Sequence, residues 1–284
     1  MHGDWWAGKG VGLCRIDHPL ATVDFYLTHL HANYTHTGYD VYTGHRVSQM
    51  YNMAKLMMRS SADNAVISVG DFNCVEDEVA TDVFREASGL TDSYRELYPD
   101  RISYPGYTND TPECSWRSEA KTAKMCSNGR CKRIDYVFYN KDKLSCTECE
   151  ITCGKIPGKN FSYSDHMGVV CTFTLNTKPR VRSCNLSKGT VESALECIDT
   201  SLHETHSDAR EKLILWVLLM MLWGGILTMG HFKLVSAPVV GVLSSAVASI
   251  ATVLFWYLVI FIRTEISKFS EARNQLSVSA KFAN

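Results

Sequence analysis

Two long uncharged segments in the last third of the chain constrain its fold more than any other feature. Twenty residues separate Lys212 from Lys233 and 29 separate Lys233 from Arg263, and neither segment contains Asp, Glu, Lys or Arg. A helix of ~20 apolar residues matches a hydrocarbon core of ~30 Å. The alternative is two buried helices of a soluble core, but such cores rarely need uncharged runs of roughly 18 residues. We therefore predict two membrane-spanning helices, at 213–232 and 237–262, and a tail at 263–284.

Small residues are spaced regularly along the second predicted span. They recur every four residues, and two adjacent glycines lie in the first span. Small side chains let neighbouring membrane helices approach closely, so we expect a tight helical hairpin. The residues expected at its contact are Ala237, Gly241, Ser245 and Ser249 with Gly224 and Gly225.

Basic residues flank the two spans unequally, which predicts their orientation. The positive-inside rule places both termini and the amino-terminal domain in the cytosol, in the endoplasmic reticulum or the plasma membrane. The first residues contain no apolar core of signal-peptide length, so we expect the four glycosylation sequons to be unmodified. The basic residues are Arg210 and Lys212 before the first span, Lys233 between the spans, and Arg263, Lys268 and Arg273 after them, and the sequons begin at Asn33, Asn109, Asn160 and Asn185.

The charge balance of the remaining chain argues against a nucleic-acid partner. Residues 1–212 carry 24 Lys and Arg against 28 Asp and Glu, a net charge of −4. Proteins that neutralise phosphate backbones need an excess of basic residues instead.

Five of the eleven cysteines lie close together in the sequence, at positions 126, 131, 146, 149 and 153. A structural zinc site would need two good ligand pairs, and Cys126 and Cys131 are too far apart to make a clean one. The odd total and the predicted cytosolic location disfavour a disulfide framework. Reduced thiols are the expectation, and zinc is the alternative.

The first 176 residues read as a mixed α/β domain with several antiparallel strands. Val23, Phe25 and Leu27 alternate with polar residues, which predicts a half-buried strand ending at His29. We predict one helix around 47–58 and a shorter one at 77–87, a long loop over 99–132, and a linker over 177–212 that is partly helical from Val191. The predicted strands are Val11–Ile16, Val23–His29, Ala65–Val69, Ile134–Tyr139, Glu150–Cys153 and Val169–Leu175.

Polar clusters follow three of these strands, where α/β and sandwich folds usually place their sites. In Gly70-Asp71-Phe72-Asn73 a carboxylate and an amide project to the same side of an extended segment, which suits a phosphate beside a hard metal ion. In Ser164-Asp165-His166 a carboxylate adjoins an imidazole, the side chain best suited to general-base work near neutral pH. The third cluster is Thr28-His29-Leu30-His31, and a further carboxylate, Asp135, opens an apolar strand.

Each cluster alone is often structural, but the four motifs occur in a telling order. Thr-His-Leu, Gly-Asp-Phe-Asn, Arg-Ile-Asp-Tyr-Val and Ser-Asp-His resemble the endonuclease/exonuclease/phosphatase superfamily, the deoxyribonuclease-I-like fold. The resemblance implies an α+β, four-layer α/β/β/α sandwich over 1–176, here incomplete at its amino terminus, followed by the transmembrane hairpin. Within the superfamily the chain is similar to the neutral sphingomyelinases, on His2-Gly3-Asp4-Trp5-Trp6, on Thr28 to Tyr34, and on His45-Arg46-Val47-x-Gln49.

The resemblance also implies roles for individual residues. His166 would deprotonate the attacking water, with Asp135 orienting it, and Asp165 would help to hold Mg²⁺. Asp71 and Asn73 would position the phosphate, while His29 would contact it or protonate the leaving group. The loop with Asp4 and Lys9 resembles the family's regulatory Asp–Lys pair. Asp4, Lys9 and His31 would therefore contact the substrate or its phosphate, or regulate activity. For Lys9 a solvated surface role is an equal alternative.

The implied reaction is Mg²⁺-dependent hydrolysis of sphingomyelin to ceramide and phosphocholine, with membrane lipids as partners, including anionic phospholipids as activators. In the family an early Asn and a metal-binding Glu precede the His-Gly-Asp-Trp segment, and no Glu precedes it here. We therefore expect an amino-terminally truncated chain that has lost most metal catalysis. The alternatives are another phosphoesterase of the superfamily, such as a phosphoinositide phosphatase, and a catalytically dead membrane protein.

Overall fold

The computed structural model describes residue 4 and residues 8–33, 40–61, 63–111, 114–116, 131–176 and 184–281. The chain divides into two compact units. The first unit comprises Met1–Leu195 and Leu276–Asn284, and the second comprises Glu196–Gln275.

The first unit is built on two β-sheets and two principal helices. One sheet has five strands in the order β1-β2-β3-β5-β4, and the other pairs β6 with β7. Strands β2 and β3 are parallel, and every other neighbouring pair is antiparallel. The elements in chain order are β1 Val11–His18, β2 Ala21–His29, α1 Thr43–Ser60, β3 Ala65–Asp71, α2 Val79–Ser88, β4 Thr91–Asp92, α3 Ser93–Leu97, β5 Asp135–Tyr139, β6 Leu144–Thr152 and β7 Gly168–Leu175.

The two sheets share one apolar core. Tyr139 of β5 meets Phe173 of β7 with ring centroids 5.1 Å apart, and Ala65, Leu144 and Cys149 are buried around them. Burial of this apolar surface is the main force that holds one sheet against the other.

Helix α2 covers the five-stranded sheet through a cluster of aromatic rings. Phe84 of α2 lies 5.5 Å from Phe72 and 5.1 Å from Phe138 of β5, centroid to centroid, and all three side chains are fully buried. The Phe84–Phe138 contact is edge-to-face, a geometry that adds to the energy of area burial. Because Phe72 lies between Asp71 and Asn73, its packing in the core fixes the position of the Gly-Asp-Phe-Asn segment.

Strand β2 is half-buried, as its alternation predicts, but its polar face is buried more fully than its apolar face. Asp24, Tyr26 and Thr28 are buried, whereas Leu27 on the apolar face is 48% exposed. Hydrogen bonds explain the burial of the polar face: the Tyr26 hydroxyl lies 2.6 Å from the hydroxyls of Ser60 and Ser61 at the end of α1. A buried polar group that is fully paired loses little on leaving water.

The structure confirms the mixed α/β sheet domain followed by two long apolar helices. Strand β6 begins at Leu144, six residues before the predicted Glu150, because its polar residues alternate to the outside of a short sheet. The helix expected from Val191 begins at Lys188 and continues to His231 without a break, where the sequence predicts a partly helical linker.

The second unit consists of antiparallel helices. Helix α4 (Lys188–His231) enters it from the first unit, and α5 (Ala237–Trp256) continues through a π-helical turn (Tyr257–Ile262) into α6 (Arg263–Ser279). By length and composition two continuous helical stretches, Lys188–His231 and Ala237–Ser279, can each cross a membrane.

The contact between α4 and α5 does not use the predicted small-residue stripe. A side chain added at Gly224, Gly225 or Gly241 would meet open space. The helices instead touch through larger groups: Trp223 Nε1 donates a hydrogen bond of 2.6 Å to the Ser244 hydroxyl. The stripe prediction is wrong because spacing alone does not say which face of a helix meets its neighbour.

The expectation that all cysteines are reduced thiols is not met. Cys131 is disulfide-bonded. Nine other cysteines are free, at positions 14, 74, 114, 146, 149, 153, 171, 184 and 197. The alternative of a zinc site at Cys126 lies outside the described residues.

Candidate active site

Three neighbouring strands bring the predicted site residues to one end of the large sheet. His29 of β2 is paired with Asp71 of β3, and Asp71 is paired with Asp135 of β5. Since β3 lies between the other two strands, Asp71 stands between the histidine and the second carboxylate. The register of the sheet alone therefore assembles three of the predicted residues.

Asp135 and His166 form a hydrogen-bonded pair. His166 Nδ1 lies 2.9 Å from Asp135 Oδ2, and both side chains are partly buried. The hydrogen bond with Asp135 raises the pKa of His166 to about 9, even though burial alone would lower it. With Nδ1 engaged by the carboxylate, Nε2 is the ring nitrogen left for a reacting group.

Asp71, Asp135 and His166 also form a group that could hold a metal ion. Each offers one ligand atom, and these atoms lie within 4.8 Å of one another. Burial raises the pKa of Asp71, and the nearby negative charge of Asp135 adds to the effect. Two crowded carboxylates beside an imidazole form a donor set that suits a divalent cation, which would relieve their repulsion.

The amide predicted to hold phosphate is fixed in place by its own neighbours. Asn73 Nδ2 donates to Asp71 Oδ2 at 3.1 Å and to the Leu30 carbonyl at 3.0 Å. The preceding Gly70 has φ +144°, and a Cβ there would lie 1.9 Å from the Thr28 carbonyl oxygen. Only glycine can occupy that position, which lets β3 deliver Asp71 beside β2.

His29 and Asp165 lie at the edge of this arrangement. His29 Nε2 is 3.5 Å from Asp71 Oδ2, and its side chain is 62% exposed, so it can reach a bound molecule. Asp165 is exposed and accepts a hydrogen bond from the Ser164 hydroxyl at 3.2 Å. Asp165 is not one of the three residues whose ligand atoms converge.

The predicted Asp–Lys pair forms a separate cluster. Lys9 Nζ lies 2.9 Å from Asp4 Oδ1, and both side chains are only 9% exposed. The other Asp4 oxygen accepts the Ala32 N–H at 2.9 Å and lies 3.8 Å from His31 Nδ1. Burial alone would raise the pKa of Asp4, but the Ala32 N–H and Lys9 together lower it. The pair therefore ties residue 4 to the loop that follows His29.

His31 is not part of the group Asp71, Asp135 and His166. It is buried, and its ring stacks on Tyr42 at 4.4 Å between centroids. Its backbone N–H donates to Gln49 of α1 at 3.1 Å, so the His-Arg-Val-x-Gln motif supports the loop that carries His29.

Nothing in the sequence indicated an ion-pair network around Arg133, two residues before Asp135. Arg133 Nη2 lies 2.6 Å from both Glu76 Oε2 and Asp92 Oδ2, and its guanidinium stacks 4.4 Å from the Tyr136 ring. Arg133 belongs to the Arg-Ile-Asp-Tyr motif, but its partners are 57 and 41 residues away. No local pattern could have indicated them.

The comparisons agree with this geometry. Residues 4–166, more than half of the chain, match the Endonuclease/Exonuclease/phosphatase family. The chain therefore belongs to that family.

The chain is also similar in sequence to individual proteins of known name. The chain is 31% identical over 202 residues to human Sphingomyelin phosphodiesterase 2, covering 69% of this chain and 47% of that one. It is 28% identical over 195 residues to Inositol phosphosphingolipids phospholipase C of Schizosaccharomyces pombe, covering 62% and 46%. The human Nocturnin catalytic domain matches with a TM-score of 0.42 at 22% identity, over 58% of this chain and 52% of that one. The chain spans less than half the length of the two protein relatives.

Proposed function

We propose that this chain carries the catalytic site of a membrane-anchored phosphodiesterase that hydrolyses sphingomyelin to ceramide and phosphocholine. The observation that carries the proposal is the 2.9 Å Asp135–His166 pair beside Asp71, within a group of ligand atoms 4.8 Å across. A base, a carboxylate that orients it and a candidate cation site are the parts that water attack on a phosphodiester requires.

The residues present fit a divalent cation, and Mg²⁺ is our choice among cations. Carboxylate oxygens are the ligands that Mg²⁺ prefers, and Asp71 and Asp135 supply them at the site. A bound cation would offset charge on the phosphoryl oxygens and favour the neutral form of His166. We assign Asp165, which adjoins His166 and is exposed, to the outer edge of the same site.

The remaining residues act on the substrate and the proton. His166 accepts the proton of the attacking water at Nε2, and Asp135 stabilises the imidazolium that forms. His29, which is exposed beside Asp71, protonates the leaving oxygen or contacts the phosphate. Asn73 donates its side-chain N–H groups to Asp71 and to the Leu30 carbonyl, and so helps to position the phosphate by holding the Asp71 carboxylate in place.

Membrane attachment fits this substrate. Sphingomyelin does not leave a bilayer easily, so an enzyme that cleaves its headgroup must work at the surface. We infer that the two long apolar helices anchor the chain in the endoplasmic reticulum or plasma membrane, with both termini and the catalytic domain in the cytosol. Anionic phospholipids are the expected activating lipids.

The test is the identity of the product. Full-length chain in detergent micelles is incubated at stoichiometric concentration with sphingomyelin and Mg²⁺, and phosphocholine and inorganic phosphate are both quantified. Because the chain is expected to have lost most metal catalysis, we expect slow phosphocholine release that depends on Mg²⁺ and is absent with His166→Gln. Release of inorganic phosphate alone, no phosphoester product at all, or equal product with His166→Gln would each contradict the proposal.

The inositol-headgroup relative defines a second candidate. The same site would cleave an inositol phosphosphingolipid at the same phosphodiester bond, with phosphoinositol as product. A parallel assay with this lipid separates the two, since the ratio of the two rates reports headgroup preference. The sphingomyelin proposal predicts the higher rate for the choline headgroup.

A further inference from the structure

One buried threonine contacts both segments that carry the Asp135–His166 pair. Thr108 is fully buried in the irregular segment after α3. Its hydroxyl oxygen accepts hydrogen bonds from the backbone N–H groups of Ile134 and Asp135, each at 3.1 Å. Its carbonyl oxygen accepts the N–H of Met167 at 2.7 Å. One residue is therefore bonded on one side to Asp135 and on the other to the neighbour of His166.

The next residue reinforces this connection. Asn109 pairs in antiparallel fashion with Lys132 on one side and with His166 on the other. The N–H groups of Thr108 and Asn109 both donate to the Lys132 carbonyl, at 2.8 and 2.9 Å, and the Lys132 N–H returns a bond of 3.0 Å to Asn109. We call Thr108–Asn109 the strap.

The strap is the backbone link between the two halves of the pair. Within the described residues, no backbone hydrogen bond joins 133–135 directly to 164–167. The side-chain bond between Asp135 and His166 therefore depends on how the strap sets the two backbones. The side chain of Thr108 is the part of the strap that a substitution can change.

We propose that Thr108 is a positioning residue, which holds the backbones at Asp135 and Met167 so that the Asp135 carboxylate meets His166 Nδ1. The geometric part of this inference stands on the hydrogen bonds alone, and its catalytic consequence rests on the proposed function. Valine has nearly the same shape as threonine but no hydroxyl, so it would leave two buried N–H groups without an acceptor. The backbone at Asp135 would then shift to find other partners.

The variants are Thr108→Val, Thr108→Ser and a matched control, Thr111→Val. Serine keeps the acceptor oxygen and removes only a methyl group. Thr111 lies three residues further on and is also buried, but its hydroxyl has no hydrogen-bond partner among the described residues. Thr111→Val therefore makes the same chemical change nearby without removing a bond.

The first readout does not need catalysis. In full-length chain made cell-free with ¹⁵N-labelled histidine, the Nδ1 proton of His166 held by Asp135 gives a low-field resonance, assigned by its loss in His166→Gln. We expect Thr108→Ser and Thr111→Val to keep this resonance. Thr108→Val should lose it or move it upfield, and residue-resolved hydrogen exchange at Ile134 and Asp135 should become at least about tenfold faster.

The second readout is phosphocholine release. A displacement of about 1 Å at a catalytic group can cost roughly a hundredfold in rate. We expect kcat to fall about ten- to a hundredfold in Thr108→Val with KM little changed, and to stay within about twofold in Thr108→Ser and Thr111→Val.

Two results would overturn the inference. One is a Thr108→Val chain that keeps the resonance and the slow exchange. The other is a Thr108→Ser chain that loses the resonance, which decides the matter even where Thr108→Val does not fold. A wild type that shows the resonance but releases no phosphocholine would count against the proposed function alone.

Discussion

At the scale of single residues, the Asp135–His166 pair is the centre of the proposed catalysis, and the strength of its hydrogen bond is measurable. The hydrogen bond from His166 to Asp135 is the largest cause of the raised pKa, and the charges of Asp71 and Asp165 contribute less. A protonated imidazole is favoured while the carboxylate faces it. The pair therefore binds a proton more tightly in the folded chain than in the unfolded one.

We predict that Asp135→Asn lowers the pKa of His166 from about 9 toward its ordinary value of 6.5. The raised pKa also determines how the stability of the fold changes with pH. A raised pKa stabilises the fold fully below pH 6.5, and this contribution is lost as the pH rises through about 9. In metal-free wild type, the urea midpoint should therefore decline between these two pH values, and in Asp135→Asn that decline should disappear. Histidine NMR titration with EDTA present measures the pKa directly.

Asp165→Asn is the matched control for this prediction. It removes a negative charge next to His166 in sequence but leaves the hydrogen bond to Asp135 in place. The pKa of His166 should then fall by much less than in Asp135→Asn. Equal shifts in the two variants would show that general charge, and not the hydrogen bond, sets the titration of His166.

The sequence motifs named residues that the fold brings close together. The motifs named Asp71, Asn73, Asp135 and His166, and strand register brings the two carboxylates side by side. Sequence reasoning could not find Thr108, whose hydrogen bonds reach residues 26 and 27 positions away. A single threonine in an irregular segment has no periodicity or spacing to mark it, so only the folded chain reveals its contacts.

At the scale of elements, strand β1 is joined to its neighbours by an ion pair between half-exposed Arg15 and buried Asp24, in addition to its backbone pairing with β2. Arg15 Nε and Nη2 donate to the two oxygens of Asp24 at 2.7 and 3.0 Å. The same carboxylate accepts hydrogen bonds from the Ser61 hydroxyl and from Asn64 Nδ2, beyond the end of α1. Asp24 therefore joins β1, β2 and the turn after α1 in one network.

We predict that Asp24→Asn destabilises the domain by about 1–3 kcal/mol, because the amide cannot accept all of these hydrogen bonds. The bond from Arg15 lowers the pKa of Asp24 from 3.8 to about 2. Its stabilisation is therefore present above pH 3.8 and is lost as the pH falls through about 2. Urea unfolding of wild type and variant at pH 7 and pH 2 measures the difference, which should narrow at the lower pH.

Asp17→Asn, at an exposed residue of β1, is the control. Its carboxylate has one long hydrogen bond of 3.4 Å, from the Thr22 hydroxyl, so its removal should change the urea midpoint little. A loss as large as that of Asp24→Asn would mean that the charge of β1, and not the buried network, holds the strand.

Strand β2 shows what an alternation pattern can and cannot predict. Alternation correctly predicted a half-buried strand that ends at His29, but it gave no sign that the polar face would be the more fully buried one. The buried polar face is stable because Arg15, Ser60 and Ser61 supply partners from other elements. Hydropathy describes each residue as if it were alone, whereas the folded chain decides by satisfied hydrogen bonds.

At the scale of the whole molecule, the sequence predicted an amino-terminal domain in water and two helices in the membrane. The helices at Lys188–His231 and Ala237–Ser279 have the length and composition to cross a membrane. The basic residues that flank the apolar segments outnumber those in the short connection, so charge predicts the orientation. The contact face of the two helices was not predicted. Trp223 and Ser244 form a hydrogen bond between the helices, whereas Gly224, Gly225 and Gly241 have no neighbouring atoms where a side chain would lie.

The last prediction concerns that orientation. One epitope tag is inserted in the connection between Leu234 and Val235, and another is added after Asn284. If both ends are cytosolic, the terminal tag reacts with antibody once the plasma membrane is selectively permeabilised, while the connection tag stays protected in the endoplasmic reticulum until all membranes are opened. A connection tag that reacts on intact cells instead assigns the chain to the plasma membrane with the same orientation. Deleting 237–262 should move the terminal tag to the protected side, and a full-length chain whose two tags always react together would contradict a two-span hairpin.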